Sequence, residues 1–400
     1  MFKLNRENIN QPSNLIGGYD IVVCGGGVAG LWLLNVLVKA GFNVILIEKH
    51  ALGGNQTIAS QGMIHGGQRY MLGANPSNHA DIVEPLPDRW NACLEGHGEL
   101  DLSEVRVLSE TQVMWPTRGR LARLALTTAT HMLKAKARKF AKHEVPKALA
   151  GLTTSSIYEL PEKVLDVSSL VEVLSRPHKA RILRATVDSL ASDGSLTVSG
   201  LQIKSQIVIC AAGLGNEEFL AMLNVGAVSS QRRPLRQFMV KSMDFPLYGH
   251  GITTSYKPRI TVTSYPLQSG GYVWYLGGAI ADDTVTLSED DAIAFAKNEM
   301  QSLFSNLDWS TKQWAIWDCI RAEAYCQTGR LPSGPVVQEY GNALVVWPTK
   351  LTLTPILGDY VIERLAKRGV YPLKSDSVRW ISQLVSHPMA SFPWEQVDWR

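Results

Sequence analysis

Asp20-Ile21-Val22-Val23-Cys24-Gly25-Gly26-Gly27-Val28-Ala29-Gly30, with Val44-Ile45-Leu46-Ile47-Glu48 a short way downstream, decides how this chain folds. Ile21, Val22 and Val23 form an apolar run long enough for one buried parallel strand. Gly25, Gly27 and Gly30 then take the G-x-G-x-x-G positions. The first turns the chain, the second lets backbone approach a pyrophosphate, and the third lets a helix pack on the strand. Leu31, Leu33, Leu34, Val36, Leu37 and Val38 continue as an apolar helix that Gly41 stops. Val44 to Ile47 form a second strand, and Glu48 ends it where a carboxylate can accept hydrogen bonds from ribose hydroxyls. A lone glycine cluster also serves ordinary turns. Strand, helix, second strand and terminal acid together point to a dinucleotide.

Outward from this unit the chain repeats its theme. Ile207 to Gly213 reads as another buried strand ending in small residues. Ala343 to Trp347 reads as a third, followed by Pro348 to Pro355 and a helical pattern from Ile356 to Ala366. Ile252 to Ile280 alternates in the manner of antiparallel strands, with Gly270-Gly271 as a turn. The alternation predicts Ile260 and Val262 facing inward and Thr261 and Thr263 outward. The expected fold is α/β (α+β overall). A discontinuous Rossmann-like domain with a parallel sheet spans 17–75, 160–225 and 335–400. A substrate domain built on an antiparallel sheet spans 76–159 and 226–334.

The composition excludes several classes. Four hundred residues, 45% hydrophobic and 19% charged, suit a multidomain soluble enzyme. A net charge of +3 is too small to imply a polyanionic partner such as DNA. The five cysteines (Cys24, Cys93, Cys210, Cys319, Cys326) form no C-x-x-C pair and no metal-ligand spacing, so no metal is expected. Cys24 and Cys210 sit in apolar strand contexts and read as buried thiols. The first 18 residues carry no apolar signal-peptide core, and no apolar stretch approaches a membrane span. Cytoplasmic location is the expectation. Residues 118–147 are locally basic, with Arg118, Arg120, Arg123, Lys134, Lys136, Arg138, Lys139, Lys142 and Lys147 against Glu144. They read first as a solvated helical face, and second as a peripheral contact with acidic lipid at the inner face of the membrane or with an RNA such as tRNA.

Ala59-Ser60-Gln61-Gly62-Met63-Ile64-His65-Gly66-Gly67-Gln68-Arg69-Tyr70 narrows the dinucleotide. With these residues the chain resembles the FAD-dependent oxidoreductase superfamily of D-amino-acid oxidase and glycine oxidase. The Ile-His-Gly-Gly-x-Arg-Tyr string is similar to that of aerobic glycerol-3-phosphate dehydrogenase in particular. The resemblance implies FAD as cofactor. It implies contacts from Gly25, Gly27, Val28, Ala29 and Gly30, from Glu48 and Lys49, and from Ser60, Gln61, Gly62, Ile64 and His65. Leu183 to Val187 resembles the strand that holds adenine, with Val187 at the matching position. Ala211 to Gly215 resembles the second small-residue motif, which adds Ala212 and Gly213. Thr349-Lys350-Leu351-Thr352 resembles the family's Gly-Lys-Leu-Thr segment before a helix aimed at the flavin. There Lys350, Leu351 and Thr352 would contact the cofactor, and Lys350 with the positive helix end would stabilise anionic reduced flavin.

The substrate is less constrained. Thr328-Gly329-Arg330-Leu331-Pro332 resembles the family's Gly-x-Arg-Pro string with altered spacing. By that resemblance Arg330 would pair with the substrate's anionic group, joined by Arg69. Gln231-Arg232-Arg233-Pro234-Leu235-Arg236 resembles the strand entering the substrate domain. His250 and Tyr325 are further pocket candidates without a motif, and Trp274 and Trp347 are candidate cofactor neighbours. The combined reading is an FAD-dependent dehydrogenase or oxidase. Its substrate would be a small anionic hydroxy or amino compound oxidised by hydride transfer to flavin N5, with His65 positioning or accepting a proton. Oxygen or a quinone would be the electron acceptor, and covalent attachment of the flavin at His65 stays open. A flavin-carrying subunit or tRNA-modifying flavoprotein component is the alternative. An NAD(P)-binding protein ranks last, because Glu48 opposes a 2′-phosphate.

Overall fold

The computed structural model describes residues 15–66, 83–117, 137–152, 157–225, 230–255, 257–327, 332, 334–373 and 387–400. The opening stretch forms β1 (Leu15–Cys24), α1 (Val28–Lys39) and β2 (Val44–Glu48). β1 lies between β2 and β11 (Leu201–Cys210), parallel to both. β18 (Ala343–Trp347) continues the sheet parallel to β11, and β8 (Ile182–Arg184) extends it parallel to β2. β17 (Val336–Tyr340) closes one edge antiparallel to β18. β10 (Ser195–Val198) pairs antiparallel with β11, and β9 (Val187–Leu190) antiparallel with β10, while β3 (Val107–Ser109) and β7 (Val164–Leu165) form a separate antiparallel pair.

This sheet is apolar on both faces, which is why its strands read as unbroken hydrophobic runs. Ile21, Val23, Leu46 and Ile209 pack under α1 together with Leu357, Val361 and Leu365 of the C-terminal helix Thr354–Lys367. Val22, Ile45, Val208 and Cys210 pack on the opposite face with Phe219 and Leu220. Cys24 and Cys210 are register partners on β1 and β11, both buried. Burial pushes the Cys24 thiol up to about 12, which fits inert core thiols.

The second sheet contains β12 (Ser230–Met243), β13 (Gly249–Ile252), β14 (Ile260–Pro266), β15 (Tyr272–Gly277) and β16 (Gln313–Ala324). β4 (Gln112–Pro116), β5 (Arg138–Lys139) and β6 (Tyr158–Leu160) complete the order β16-β12-β15-β14-β13-β4-β6-β5. It is antiparallel except where β4 runs parallel to β13. β4 reaches the sheet from a separate part of the chain, so no hairpin dictates its direction. The helix Glu289–Leu303 covers one face over Trp274, Trp314 and Val262. Trp394, Phe392 and Trp399 cover the other. Residues 387–400 touch both sheets. His387 Nε2 lies 3.4 Å from Glu48 O of β2, and Trp314 of β16 and Arg400 exchange two backbone hydrogen bonds.

One inward/outward expectation is corrected. Thr261 and Thr263 are as buried as Ile260 and Val262, because this sheet is covered on both faces. The threonine face meets residues 59–62. Thr261 Oγ1 donates to Gln61 Oε1 at 2.6 Å, and Thr263 Oγ1 donates to the Gln61 carbonyl at 3.0 Å.

A cavity between the glycine turn and the second sheet

The C-terminal ends of β1, β2, β11 and β18 open into one cavity of about 390 Å3, the usual place for a ligand in a parallel sheet. Gly25, Gly26, Gly27, Val28 and Ala29 line its floor. Gly25 needs its glycine, since φ is +115° and a Cβ would meet Ala211 O at 2.7 Å. Gly30 does not line the cavity. A Cβ there would sit 1.9 Å from Gly25 O, so it serves the helix-to-turn packing. The N-terminus of α1 carries no side-chain cap on Gly27 and no acid in its first turn. Val28 N donates to Thr57 Oγ1 at 3.2 Å, and the other N–H groups of the first turn, with the helix dipole, suit a pyrophosphate there.

Glu48 lines the next wall. Its two oxygens accept from Gly26 N and His50 N, both at 2.7 Å, which locks the carboxylate against the turn. Each oxygen keeps acceptor capacity for a ribose hydroxyl. Lys49 points away, paired with Glu218 at 3.1 Å on the surface. Val187 also lies apart from the cavity, buried between β9 and β10 opposite Val198.

Ser60, Gln61, Gly62, Met63 and His65 form a strap between the two sheets. Gln61 Nε2 donates to Tyr275 O at 2.9 Å, and the Tyr275 hydroxyl donates to Ala59 O at 3.0 Å. Gly62 has φ +67°, and a Cβ would lie 2.0 Å from Leu165 O. Ile64 faces the core instead, and its carbonyl accepts from Gln112 Nε2 at 2.8 Å. His65 lines the cavity, and its carbonyl accepts from Thr352 Oγ1 at 3.4 Å.

Ala212 and Gly213 line the cavity, held in place by Asn216. The buried Asn216 amide accepts from Ala212 N at 2.9 Å and donates to Val346 O at 3.0 Å. Trp347, Pro348, Thr349, Lys350 and Leu351 form the far wall. Thr349 has φ +61°, a strained position for a β-branched residue and one that marks functional loops. Thr352 turns inward, and its carbonyl accepts from Trp90 Nε1 at 3.0 Å. Trp347 Nε1 is buried without a partner among the described residues.

The ceiling comes from alternate residues of the second sheet, Arg233, Leu235 and Gln237 of β12 and Cys319, Arg321 and Glu323 of β16. Arg233 makes two bonds to Glu323, at 2.6 and 2.5 Å. Arg321 Nη2 meets Asp282 Oδ1 at 3.1 Å. Burial, followed by the neighbouring Arg233 cation, holds the Arg321 guanidinium below the usual arginine range. Neither Arg321 nor Gln56, whose amide oxygen accepts from Ala322 N at 3.1 Å, was expected from the sequence. The available signal was the two-residue period of Cys319, Arg321 and Glu323.

The other candidates fall elsewhere. Arg69, Arg330 and residues 118–136 lie outside the described residues. Of the basic segment, Arg138 pairs with Glu144 and Glu159, each at 2.8 Å. Arg236 is buried against Asp318 and the Thr284 and Leu287 carbonyls, away from the cavity. Trp274 is corrected from cofactor neighbour to core residue. It packs against Phe245, Phe304 and Trp309 and donates to Phe245 O at 2.9 Å. His250 is buried against Gln112 Oε1 at 2.9 Å, and Tyr325 is exposed. Among the described residues no group of His, Cys, Asp and Glu could hold a metal, and no helix is long and apolar enough to cross a membrane.

A parallel sheet with a glycine turn, a strand-end carboxylate and a second sheet roofing the cleft is the layout of a dinucleotide-binding enzyme. The sequence pattern of the DAO family, FAD dependent oxidoreductase, matches residues 20–364, and the chain belongs to that family. It is 37% identical over 383 residues to the probable FAD-dependent oxidoreductase PA4991 of Pseudomonas aeruginosa, covering 94% of this chain and 97% of that protein. The crystal structure of that relative superposes with a TM-score of 0.81 at 35% identity, over 95% of this chain and 98% of that one. Glycine oxidase from Geobacillus kaustophilus shares the fold at 17% identity, with a TM-score of 0.64 over 92% and 99% of the two chains. L-alpha-Glycerophosphate oxidase from Mycoplasma pneumoniae, solved with FAD bound, does so at 14% identity, with a TM-score of 0.64 over 87% and 94%. The cofactor of this chain is FAD. The α1 terminus with no acid in its first turn, the glycine cradle and the small residues at 212 and 213 fit it.

Proposed function

We propose that this enzyme oxidises a small anionic hydroxy or amino compound inside the cavity just described. The observation that carries the reading is the ceiling: two arginines face the same 390 Å3 space as the glycine turn, Lys350 and His65. Guanidinium groups held over a cofactor cleft favour a carboxylate or phosphate on the substrate.

In this reading Gly25, Gly27, Val28 and Ala29 hold the pyrophosphate, Glu48 the ribose, and Ser60, Gln61, Gly62, Ala212, Gly213, Leu351 and Trp347 the remainder of the cofactor. FAD bound there would supply the two-electron acceptor. The chain's own residues do the positioning. The strap at 59–62, pinned by Thr261, Thr263 and Tyr275, fixes the floor against the ceiling. Lys350 places positive charge on the far wall, and His65, on the same cavity, is the proposed proton holder. Oxygen or a quinone is the proposed acceptor, and Arg69 and Arg330 remain proposed contributors to anion binding.

The test is turnover. Holoprotein is mixed with small amino and hydroxy acids and with glycerol phosphates, in air with peroxide detection and without air with a quinone dye. Turnover of at least one anionic member is expected. No turnover of any member under either condition overturns the reading. Co-purification with RNA would favour the tRNA-modifying component instead.

A further inference from the structure

Gly26 is held on both sides by the wall that carries Glu48. Its N–H donates to Glu48 Oε2 at 2.7 Å, and its carbonyl accepts from Gly53 N at 2.9 Å. A Cβ on Gly26 would lie 2.7 Å from Leu52 Cδ2 and 3.0 Å from Glu48 Cβ, so Leu52 packs tightly under the turn. Leu52 is buried, and its backbone bridges to Met389 near the C-terminus. Leu52 N donates to Pro388 O at 3.0 Å, and Ala390 N donates to Leu52 O at 2.9 Å.

The same C-terminal segment reaches the strap at 59–62. Phe392 and Trp394 stack with ring centroids 4.4 Å apart. Trp394 also meets the Tyr265 ring at 4.4 Å and the Tyr275 ring, edge-on, at 5.7 Å. Tyr275 is the residue whose hydroxyl donates to Ala59 O and whose carbonyl accepts from Gln61 Nε2. No described residue of this tail lines the cavity. The tail therefore reaches the cofactor only through Leu52, Glu48 and Tyr275, which hold two separate walls of the cleft.

We propose that residues 387–400 are a positioning segment for FAD: docking of this tail sets the glycine turn and the strap in their cofactor-binding geometry, so tail docking and FAD binding favour each other. An undocked tail leaves the Leu52 N–H and C=O without their partners and frees Leu52 from its place under Gly26. The Glu48 carboxylate then loses the fixed turn to which it is hydrogen-bonded. Linkage makes the effect reciprocal, so bound FAD must hold the tail down to the same degree. The inference concerns the cofactor and stands apart from the anionic-substrate reading.

The experiment titrates full-length apoprotein, made in riboflavin-starved cells, with FAD and follows flavin fluorescence. Ala390→Pro removes the N–H that donates to Leu52 O, and Trp394→Ala removes the ring against Tyr275. Each should raise the Kd for FAD by about fivefold or more, the low end of coupling between two sites. Trp394→Phe, which keeps a ring against Tyr275, should stay near wild type. In both disruptive variants the Tm of the FAD-loaded protein should fall further than that of the apoprotein, because affinity for the cofactor is lost as well as packing. Hydrogen exchange on the wild type gives a measurement free of any variant. FAD should slow exchange of the Ala390 amide by about fivefold or more, and should slow it more than the amides of the helix Glu289–Leu303 on the opposite face. If a variant fails to fold, the exchange measurement decides. An unchanged Kd with equal Tm losses in apo and loaded protein would mean a structural role alone and overturns the inference. So does an Ala390 amide that exchanges equally fast with and without FAD.

Discussion

Arg233 and Arg321 are direct register partners on the β12–β16 ladder, two cations side by side above the cofactor cleft. Glu323, opposite Gln231 on the same ladder, makes the arrangement tolerable by binding Arg233 with both carboxylate oxygens. Arg233→Ala would therefore strand a buried carboxylate. Its expected cost is roughly 3 kcal/mol, the usual scale for breaking a buried pair from one side. The double variant Arg233→Leu with Glu323→Leu should recover most of that loss. Urea unfolding checks both, and additive losses would mean the two side chains act independently.

Gly30 tests the turn without touching the cavity. A methyl group there would overlap Gly25 O, which sits 1.9 Å from the ideal Cβ. The backbone must shift, and the shift moves the Gly25–Gly27 cradle. Gly30→Ala should lower Tm and yield protein with far less bound FAD than wild type, measured as the ratio of flavin to protein absorbance. Full flavin occupancy would show that the turn absorbs the methyl group.

Cys319 lines the ceiling, and burial pushes its thiol up to about 11, despite Arg321 nearby. The thiolate is the reactive form. At pH 8 this thiol should react with iodoacetamide far more slowly than a free cysteine. Mass spectrometry of the labelled peptide gives the rate. Labelling at the free-thiol rate would contradict the buried, neutral assignment.

His178 contributes a pH dependence. Its Nε2 lies 3.1 Å from Asn35 Oδ1, and the Asn35 amide also donates to Leu31 O and Leu174 O, tying α1 to the helix Val167–Ser175. Burial, and then Arg181, hold its pKa below the ordinary 6.5. Below that value the unfolded chain binds the proton better than the folded one. Stability therefore falls as pH drops through the unfolded value. Tm should decline between about pH 7 and 5, and His178→Gln should flatten part of that decline. An identical slope in the variant would remove His178 as a cause.

The first sheet was legible in the sequence because its signals are local. The strand at Val44–Glu48 and the one at Ala343–Trp347 were bounded almost to the residue, since both are apolar runs stopped by a charge or a proline. The glycine spacing carries its own geometry. The ceiling was not legible. Whether Thr261 faces water or Gln61 depends on a strap 200 residues away, which alternation in one strand cannot reveal. Arg321 stood in a strand of mixed pattern whose register partner, Arg233, lies far upstream. Trp274 and Trp347 look alike in sequence, yet one sits among Phe304 and Trp309 and the other lines the cavity.

The central claim is that this cleft oxidises a small anion, and anaerobic stopped-flow mixing tests it most directly. Holoprotein is mixed with amino acids, hydroxy acids and glycerol phosphates, each beside its neutral amide or ester, while the flavin absorbance is followed. At least one anionic compound should bleach the flavin saturably, and its neutral derivative should do so at least tenfold less efficiently, the scale of one charged contact. Bleaching by neutral and anionic forms alike, or by none of them, would contradict the account.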